Sequence, residues 1–409
     1  MTKVVVVGSG GREHCLADIL GRTASEVVVT PGNPGIPGSV DTPATEIDAD
    51  LFVIGPEVPL VAGLADELRA QGKLVFGPGA AGAQLEGSKS YMKELLVAAG
   101  VPTPAHGSFS EEESALKFLD TMSAPYVIKT DGLAAGKGVL VTDDRERAEA
   151  AIRDYLSGQA FGDAGATIVI EEGLSGPEVS VFAICDGQKA VVLSPAQDHK
   201  RIFDGDLGPN TGGMGAYTPL PWADPDLIDV VIKEHIQPTL AELKRRGIDY
   251  RGTLFAGLML TDDGPKMLEY NIRFGDPETQ VVLPRIESDL VELLSQAAAG
   301  DISMLPTFSS DAFAIVVLAS EGYPSTPRTG DVIAGVDEAR ETDGVSVYAA
   351  GVQTNDSGAL ITGGGRVLNV VGRGRTIDDA VNAAYDGVQQ ISWPGMHYRS
   401  DIARQARET

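Results

Sequence analysis

Val4-Val5-Val6-Val7-Gly8-Ser9-Gly10-Gly11-Arg12-Glu13 opens on four consecutive β-branched residues and turns on glycines. An apolar run without alternation is what a strand buried on both faces carries, as in a parallel sheet. Arg12 to Leu20 continues with apolar residues at helical spacing, so the stretch reads strand, turn, helix. The strand signal returns at Val27-Val28-Val29, Leu51-Phe52-Val53-Ile54 and Leu74-Val75-Phe76. Each run ends in a Gly/Pro turn: Pro31-Gly32-Asn33, Gly55-Pro56-Glu57 and Gly77-Pro78-Gly79. Strands that alternate with helices and end in glycine-rich loops predict a doubly wound parallel α/β domain over residues 1–86, with ligands at the C-terminal strand ends. One link breaks the pattern. Between Val29 and Leu51, Pro31, Pro34, Pro37 and Pro43 oppose a helix, so this crossover is expected to be extended or incomplete.

The Gly8-Ser9-Gly10 turn invites a dinucleotide reading, and two residues oppose it. The third glycine of that fingerprint would fall where Glu13 stands, and the next strand ends in Thr30 rather than an acid for a ribose hydroxyl. What remains is either an anion held at a helix N-terminus or a structural corner. The first reading makes the turn a phosphate seat.

The texture changes near Gly87. A helix is expected over Lys89–Ala99 and strands at Tyr126–Lys129, Val139–Thr142 and Thr167–Ile170, with a helix over Arg145–Leu156. These compose a small α+β lid subdomain over about 107–175, inside a larger unit spanning 87–303. A bigger sheet is expected from Val179–Ile184, Val191–Ser194, Leu254–Leu260 and Lys266–Tyr270. A β-rich C-terminal unit, 304–409, would hold strands Phe313–Leu318, Val345–Ala349 and Arg366–Val371 and helix Ile377–Ile391.

The chain has 409 residues and a net charge of −26, which excludes a nucleic-acid backbone binder needing a basic face. Any phosphorylated ligand must be held by local devices: Lys, Arg, helix N-termini or a divalent cation. Two cysteines, Cys15 and Cys185, give neither a disulfide framework nor zinc spacing, and a reducing cytoplasm fits. No stretch approaches the roughly 18 apolar residues that span a bilayer.

Lys129-Thr130-Asp131-Gly132-Leu133-Ala134-Ala135-Gly136-Lys137-Gly138 is not a Walker A loop, because Gly138 stands where a Mg²⁺-binding Ser or Thr belongs. It reads as a hairpin whose backbone amides and two lysines cover phosphates. Glu171-Glu172-Gly173-Leu174, with Glu178 beyond, can offer backbone groups to adenine and a carboxylate to ribose. Glu269, Asn271 and Arg273 alternate along a strand, so they share a face. Two oxygen ligands beside a guanidinium suit Mg²⁺ on ATP phosphates and phosphoryl transfer. Asp198-His199-Lys200-Arg201 and Gly208 to Tyr217 form a long polar stretch of the sort that is functional when ordered. His199 has no visible partner for acid–base work.

Together these segments resemble the ATP-grasp superfamily and, within it, the phosphoribosylamine–glycine ligase (glycinamide ribonucleotide synthetase) family. The motifs are Gly10 to His14, Gly55-Pro56-Glu57, Leu85 to Lys89, Lys129 to Val139, Gln197 to Arg201, Gly208 to Tyr217 and Arg273-Phe274-Gly275-Asp276-Pro277-Glu278-Thr279-Gln280, with Gly322-Tyr323-Pro324 and Gly363 to Val367. The resemblance implies a cytoplasmic ligase of purine biosynthesis, monomeric or weakly dimeric, without nucleic-acid or membrane partners. It implies three substrates, ATP, glycine and 5-phosphoribosylamine, and Mg²⁺ or Mn²⁺ on Glu269 and Asn271. Lys89, Lys129, Gly136, Lys137, Glu171, Glu172, Leu174 and Glu178 would contact ATP. Gly10, Gly11, Arg12, Glu13, Asn33, Glu57, Asp198, Lys200, Gly212, Gly213, Met214, Arg273 and Asp276 would bind the other substrates. Arg273, Lys129 and Asp198 would be catalytic. The strand Phe255 to Met259 lacks the additional metal-binding acid of many superfamily members, so a second metal has no assigned ligand. The alternatives are another ATP-grasp ligase or carboxylase of purine metabolism, or a nucleotide sensor without turnover.

Overall fold

The structure, a computed structural model, describes residues 2–133, 138–158 and 165–407. Strands β1 (Lys3–Gly8), β2 (Glu26–Pro31), β3 (Leu51–Ile54) and β4 (Val75–Phe76) form a parallel sheet in the order β2-β1-β3-β4. Val4, Val5 and Val6 are fully buried, as the unbroken β-branched run requires. Helix α1 (Gly11–Leu20) follows β1 directly. The β2–β3 crossover contains no α-helix, only a single 3₁₀ turn at Ala44–Glu46. Its first part folds back along β2, where the Val40 amide donates to the Val29 carbonyl. The prolines therefore act as the sequence suggests.

Strands β5 (His106–Phe109), β6 (Tyr126–Thr130), β7 (Val139–Thr142) and β8 (Ile168–Glu172) make a separate antiparallel sheet, order β5-β8-β6-β7. Helices Glu112–Leu119 and Arg145–Leu156 cover it; Asp144 caps the second by accepting from the Glu146 amide at 2.9 Å. Ala115, Leu119, Ile128, Ala148, Ile152, Ile168 and Ile170 form a core of their own, distinct from the main core.

The chain continues through β9 (Glu178–Asp186), β10 (Ala190–Val192), β11 (Gln197–Asp198), β12 (Arg201–Phe203), β13 (Leu207–Asn210), β14 (Gly215–Thr218), β15 (Arg251–Thr261) and β16 (Gly264–Asn271). It ends with β17 (Ala312–Ala319), β18 (Val345–Ala349), β19 (Val352–Thr354), β20 (Leu360–Thr362) and β21 (Arg366–Gly374). An antiparallel sheet β10-β9-β15-β16 forms the centre. The C-terminal sheet runs β11-β14-β17-β21-β18. It is not built from residues 304–409 alone: β14 pairs with β17 from Gly215↔Val316 to Thr218↔Phe313, so the 197–218 excursion belongs to it physically. Helix Ile377–Gln390, capped by Thr376 and Asp379, packs on this sheet and stops one residue before the expected Ile391, which is extended. One continuous core unites the N-terminal, central and C-terminal sheets. No helix among the described residues is long and apolar enough to cross a membrane.

Candidate active site

Strand β16 ends beside β15, with Glu269 opposite Gly257 and Asn271 opposite Phe255. Tyr270 and Ile272 point into the core, 1% and 0% exposed, so alternation turns Glu269 and Asn271 to the opposite face. That face borders two adjoining cavities, of about 400 and about 540 Å³. Both are lined by Glu178, Asp198, Lys200, Gly257 and Glu269. The cavities therefore meet along one wall, and Glu269 stands in it.

The larger cavity is the more apolar one. Val127, Val141, Leu174, Met259 and Leu268 give it apolar walls, with Lys129, Glu171 and Glu172 at its polar end. Lys129 Nζ lies 2.9 Å from Glu171 Oε2, and Lys93 Nζ lies 3.2 Å from the other oxygen. Burial raises the Glu171 carboxyl, but Lys129 and Lys93 outweigh it, leaving the net shift downward. Burial pushes Lys93 down to about 8. Glu171 is thus a buried ion-pair anchor, which leaves its backbone groups as what it can offer a ligand. Glu172 accepts from the Ala105 amide at 3.2 Å. Glu178 is bonded to Lys200 and borders both cavities. Gly136 and Lys137 lie outside the described residues.

The smaller cavity is crowded with charge: Arg12, Glu57, Glu86, Lys89, Arg273, Asp276, Glu278 and Arg366 all border it, with Gly212. Arg273 sits just past β16. Its Nε meets Glu57 at 3.3 Å, one terminal nitrogen meets Glu86 at 2.8 Å and Asn271 at 3.1 Å, and the other meets the Phe274 carbonyl at 3.4 Å. A guanidinium carries five N–H donors, so one remains. Burial and Arg273 pull Glu57 and Glu86 in opposite directions: Glu57 ends below the ordinary carboxylate range and Glu86 above it. Asp276 is held by Arg366 at 3.2 Å and by Gln280 at 3.0 Å. Burial lifts Glu269, but Lys200, Lys129, Lys89 and Arg273 together bring it below its usual value, so it is ionised. Lys89 donates to the Gly132 carbonyl at 3.2 Å, and burial lowers it.

Several of the expected ligand residues make contacts within the protein. Of Gly10, Gly11, Arg12 and Glu13, only Arg12 lines the cavity. Glu13 is 2% exposed and serves as an internal cap, accepting from the Gly10 amide at 2.6 Å and from Arg12 Nε at 2.5 Å. Gly55 is needed for the same reason: a Cβ there would come within 2.1 Å of Glu13 Oε1. A Cβ on Gly11 would meet the Asn369 amide at 1.8 Å, so that glycine admits β21 rather than only a ligand. The Asn33 amide donates to Ser9 and Ala350 carbonyls, stitching loops together outside the cavities. Met214 is 0% exposed in a small core with Ile202 and Ala319, and Gly213 abuts Pro277; neither lines a cavity. His199 is buried, its Nε2 accepting from the Ala403 amide at 3.0 Å, which suits a structural tie rather than proton transfer.

Sequence reasoning passed over Glu86, Lys93, Glu278 and Arg366 as site residues. Three of them stood inside quoted motifs, but nothing in spacing brings Arg366 to Asp276, ninety positions upstream. Lys93 sits on helix Lys89–Ala99 at a position that reads as ordinary helix surface, and only the fold reveals it as 0% exposed.

A small sheet with its own core beside a partly apolar cavity, a central antiparallel sheet, and an E-x-N strand end with lysines around it together suit the ATP-grasp class. The chain belongs to the phosphoribosylglycinamide synthetase family: residues 2–86 match its N domain, 87–279 its ATP-grasp domain and 313–405 its C domain. It is 48% identical over 420 aligned positions to the phosphoribosylamine–glycine ligase of Caulobacter vibrioides, covering 98% of both chains. It is 46% identical to that of Mesorhizobium japonicum, again over 98% of both. The crystal structure of phosphoribosylamine–glycine ligase from Thermotoga maritima superposes with a TM-score of 0.88 at 34% identity, covering 98% of this chain and 100% of that one.

Proposed function

We propose that this chain joins glycine to 5-phosphoribosylamine at the expense of ATP, through glycyl phosphate, giving glycinamide ribonucleotide, ADP and phosphate. The observation that carries the reading is Glu269 in the wall common to two cavities, one partly apolar and one densely charged. ATP would occupy the first and the two amine substrates the second, so the phosphate to be transferred would lie where they meet. Lys89, Lys129 and Lys200 surround that point and would neutralise phosphate charge; all three bear on Glu269. The small sheet, having its own core, would act as a lid over ATP.

Glu269 and Asn271 present two hard oxygen donors on one strand face, which suits Mg²⁺, with Mn²⁺ as a substitute. No group of three His, Cys, Asp or Glu side chains among the described residues is arranged to hold a metal, so the pair would share its ion with phosphate oxygens. When bound, the ion would polarise the phosphoryl oxygens and orient the triphosphate. The remaining N–H of Arg273 would point the glycine carboxylate at the phosphorus, with Glu57 and Glu86 fixing the guanidinium. Arg366 and Asp276 tie the Gly212 loop over the second cavity, since Arg366 donates to the Gly212 and Asp276 carbonyls at 2.8 and 2.7 Å. That closure would keep water from the acyl phosphate.

Purified protein with ATP, Mg²⁺ and phosphoribosylamine should release phosphate only when glycine is added. Release with a different carboxylate but not with glycine would transfer the chain to a sister ligase, and no release at all would make it a nucleotide sensor.

A further inference from the structure

The acids bordering the smaller cavity can be accounted for one by one. Glu57 and Glu86 grip Arg273, Asp276 grips Arg366 and Glu178 grips Lys200. Glu269 is reserved for the cation. Two carboxyls remain that form no ion pair within 4.0 Å among the described residues: Asp198 and Glu278. Glu278 is 4% exposed; its Oε1 accepts from Ser180 Oγ at 3.3 Å. Space for it is cleared by Gly275, where a Cβ would come within 2.4 Å of Glu278 Oε2. Glu278 borders only the smaller cavity, whereas Asp198 borders both. Of the two, Glu278 is therefore the acid on the side from which an amine would enter.

We propose that Glu278, with Asp198 as its acidic neighbour, is the catalytic carboxylate that takes a proton from the amine as its nitrogen attacks the acyl phosphate. The inference rests on the ligase reading above. The nitrogen lone pair forms the C–N bond, the acyl C–O bond to phosphorus breaks, and phosphate leaves with that electron pair. The nitrogen, now carrying one proton too many for an amide, gives it to Glu278, which later returns it to solvent. Without an acceptor, the protonated nitrogen is the better leaving group and the adduct reverts.

The surroundings fit the task. Burial first, and the Asp198 charge second, raise Glu278 to about 7, against the pull of Lys200 and Arg273. Arg366 on β21 also faces it. Asp198 is raised in turn by burial and by Glu178, with Lys200 and His199 opposing. An acceptor poised near neutrality combines a sizeable free-carboxylate fraction with useful basicity.

The test is a pH profile of kcat at saturating ATP, Mg²⁺ and glycine, with phosphoribosylamine as nucleophile. Wild-type kcat should climb through about pH 7 as Glu278 ionises. Glu278→Gln should lower kcat about 10²-fold or more and abolish that limb, while the glycine and ATP KM values stay within about twofold. Asp198→Asn removes the neighbouring negative charge, so whatever activity it keeps should show the limb at lower pH; this second variant serves should Glu278→Gln fold poorly. Wild-type kcat in Glu278→Gln, or an unmoved limb in Asp198→Asn, overturns the proposal. So does a loss confined to the glycine KM, which would make the pair a seat for the glycine ammonium. If wild-type protein itself shows no glycine-dependent phosphate release, the ligase reading has failed instead.

Discussion

Lys129 and Lys93 reach Glu171 from two sides, with Nζ atoms 2.9 and 3.2 Å from its two carboxylate oxygens, and all three side chains are at most 8% exposed. Lys129 is thereby held at the polar end of the larger cavity, the one proposed for ATP, by a residue one strand away. Glu171→Gln would leave two buried ammonium groups without a counter-charge, and breaking such a pair costs about 3 kcal/mol. Lys129 would also lose its bearing on the phosphates, and a misplacement of about 1 Å can cost roughly 10²-fold in rate. Urea denaturation and steady-state kinetics would read the two effects. A variant with wild-type stability and an unchanged ATP KM would show that Glu171 is not the anchor.

The cation pair gives a sharper contrast. Glu269 is held ionised by four positive groups and faces the cavities rather than the core. Glu269→Ala should therefore abolish turnover, by at least about 10²-fold, while the thermal midpoint hardly moves. The assay is ADP release at saturating ATP across a range of Mg²⁺ and Mn²⁺ concentrations. Activity within tenfold of wild type would remove Glu269 from the metal site.

These residues also mark how far sequence reading goes. Val4 to Val7 and the alternation of Glu269, Asn271 and Arg273 carry their meaning locally: a strand buried on both faces needs an unbroken apolar run, and a two-residue period fixes a shared face. Glu13 shows the limit. Its motif position suggested a ligand, yet it turns inward to cap the Gly10 amide, because the glycines at 8 and 55 leave a hole only its carboxylate fills. The inward side chains of Glu171 and Met214 were illegible for the same reason. Whether a side chain at a strand end or in a loop faces ligand or core depends on partners far along the chain, here Lys93 and Ala319.

His14 lies at the junction of α1 and β18, its Nδ1 accepting from the Ala349 amide at 2.8 Å. Burial, and then the Arg340 charge, push it from 6.5 down to about 4. The native state therefore holds it neutral where the unfolded chain binds a proton. Between pH 6.5 and 4 the unfolded state carries more protons, so stability falls as pH falls across that window. The loss from this one group approaches about 3 kcal/mol at its lower end. Guanidinium unfolding at pH 7 and pH 5 should show a steeper acid loss in wild type than in His14→Gln, which cannot titrate. Parallel losses in the two proteins would absolve His14.

Among the described residues, Arg399 is the largest fully buried side chain, 1% exposed, and it fastens the C-terminal segment to the loop that borders both cavities. Its guanidinium meets Asp206 at 2.7 Å and Asp401 at 2.7 and 2.8 Å and donates to the Arg201 carbonyl at 3.2 Å. Beside it the Ala403 amide donates to His199, and Ala403 itself adopts φ of 61°, a left-handed conformation that costs energy in a residue with a Cβ. That cost is tolerated because the clasp aligns His199, and with it Asp198 and Lys200 on either side. Arg399→Met should destabilise the protein by about 2 kcal/mol, since the half-buried Asp401 loses its charged hydrogen-bond partner. Because Asp206 and Gln405 border the cavity proposed for ATP, the ATP KM should rise more than the glycine KM. Chemical denaturation and paired KM measurements test both parts; equal shifts in the two KM values would mean that the clasp serves the fold alone.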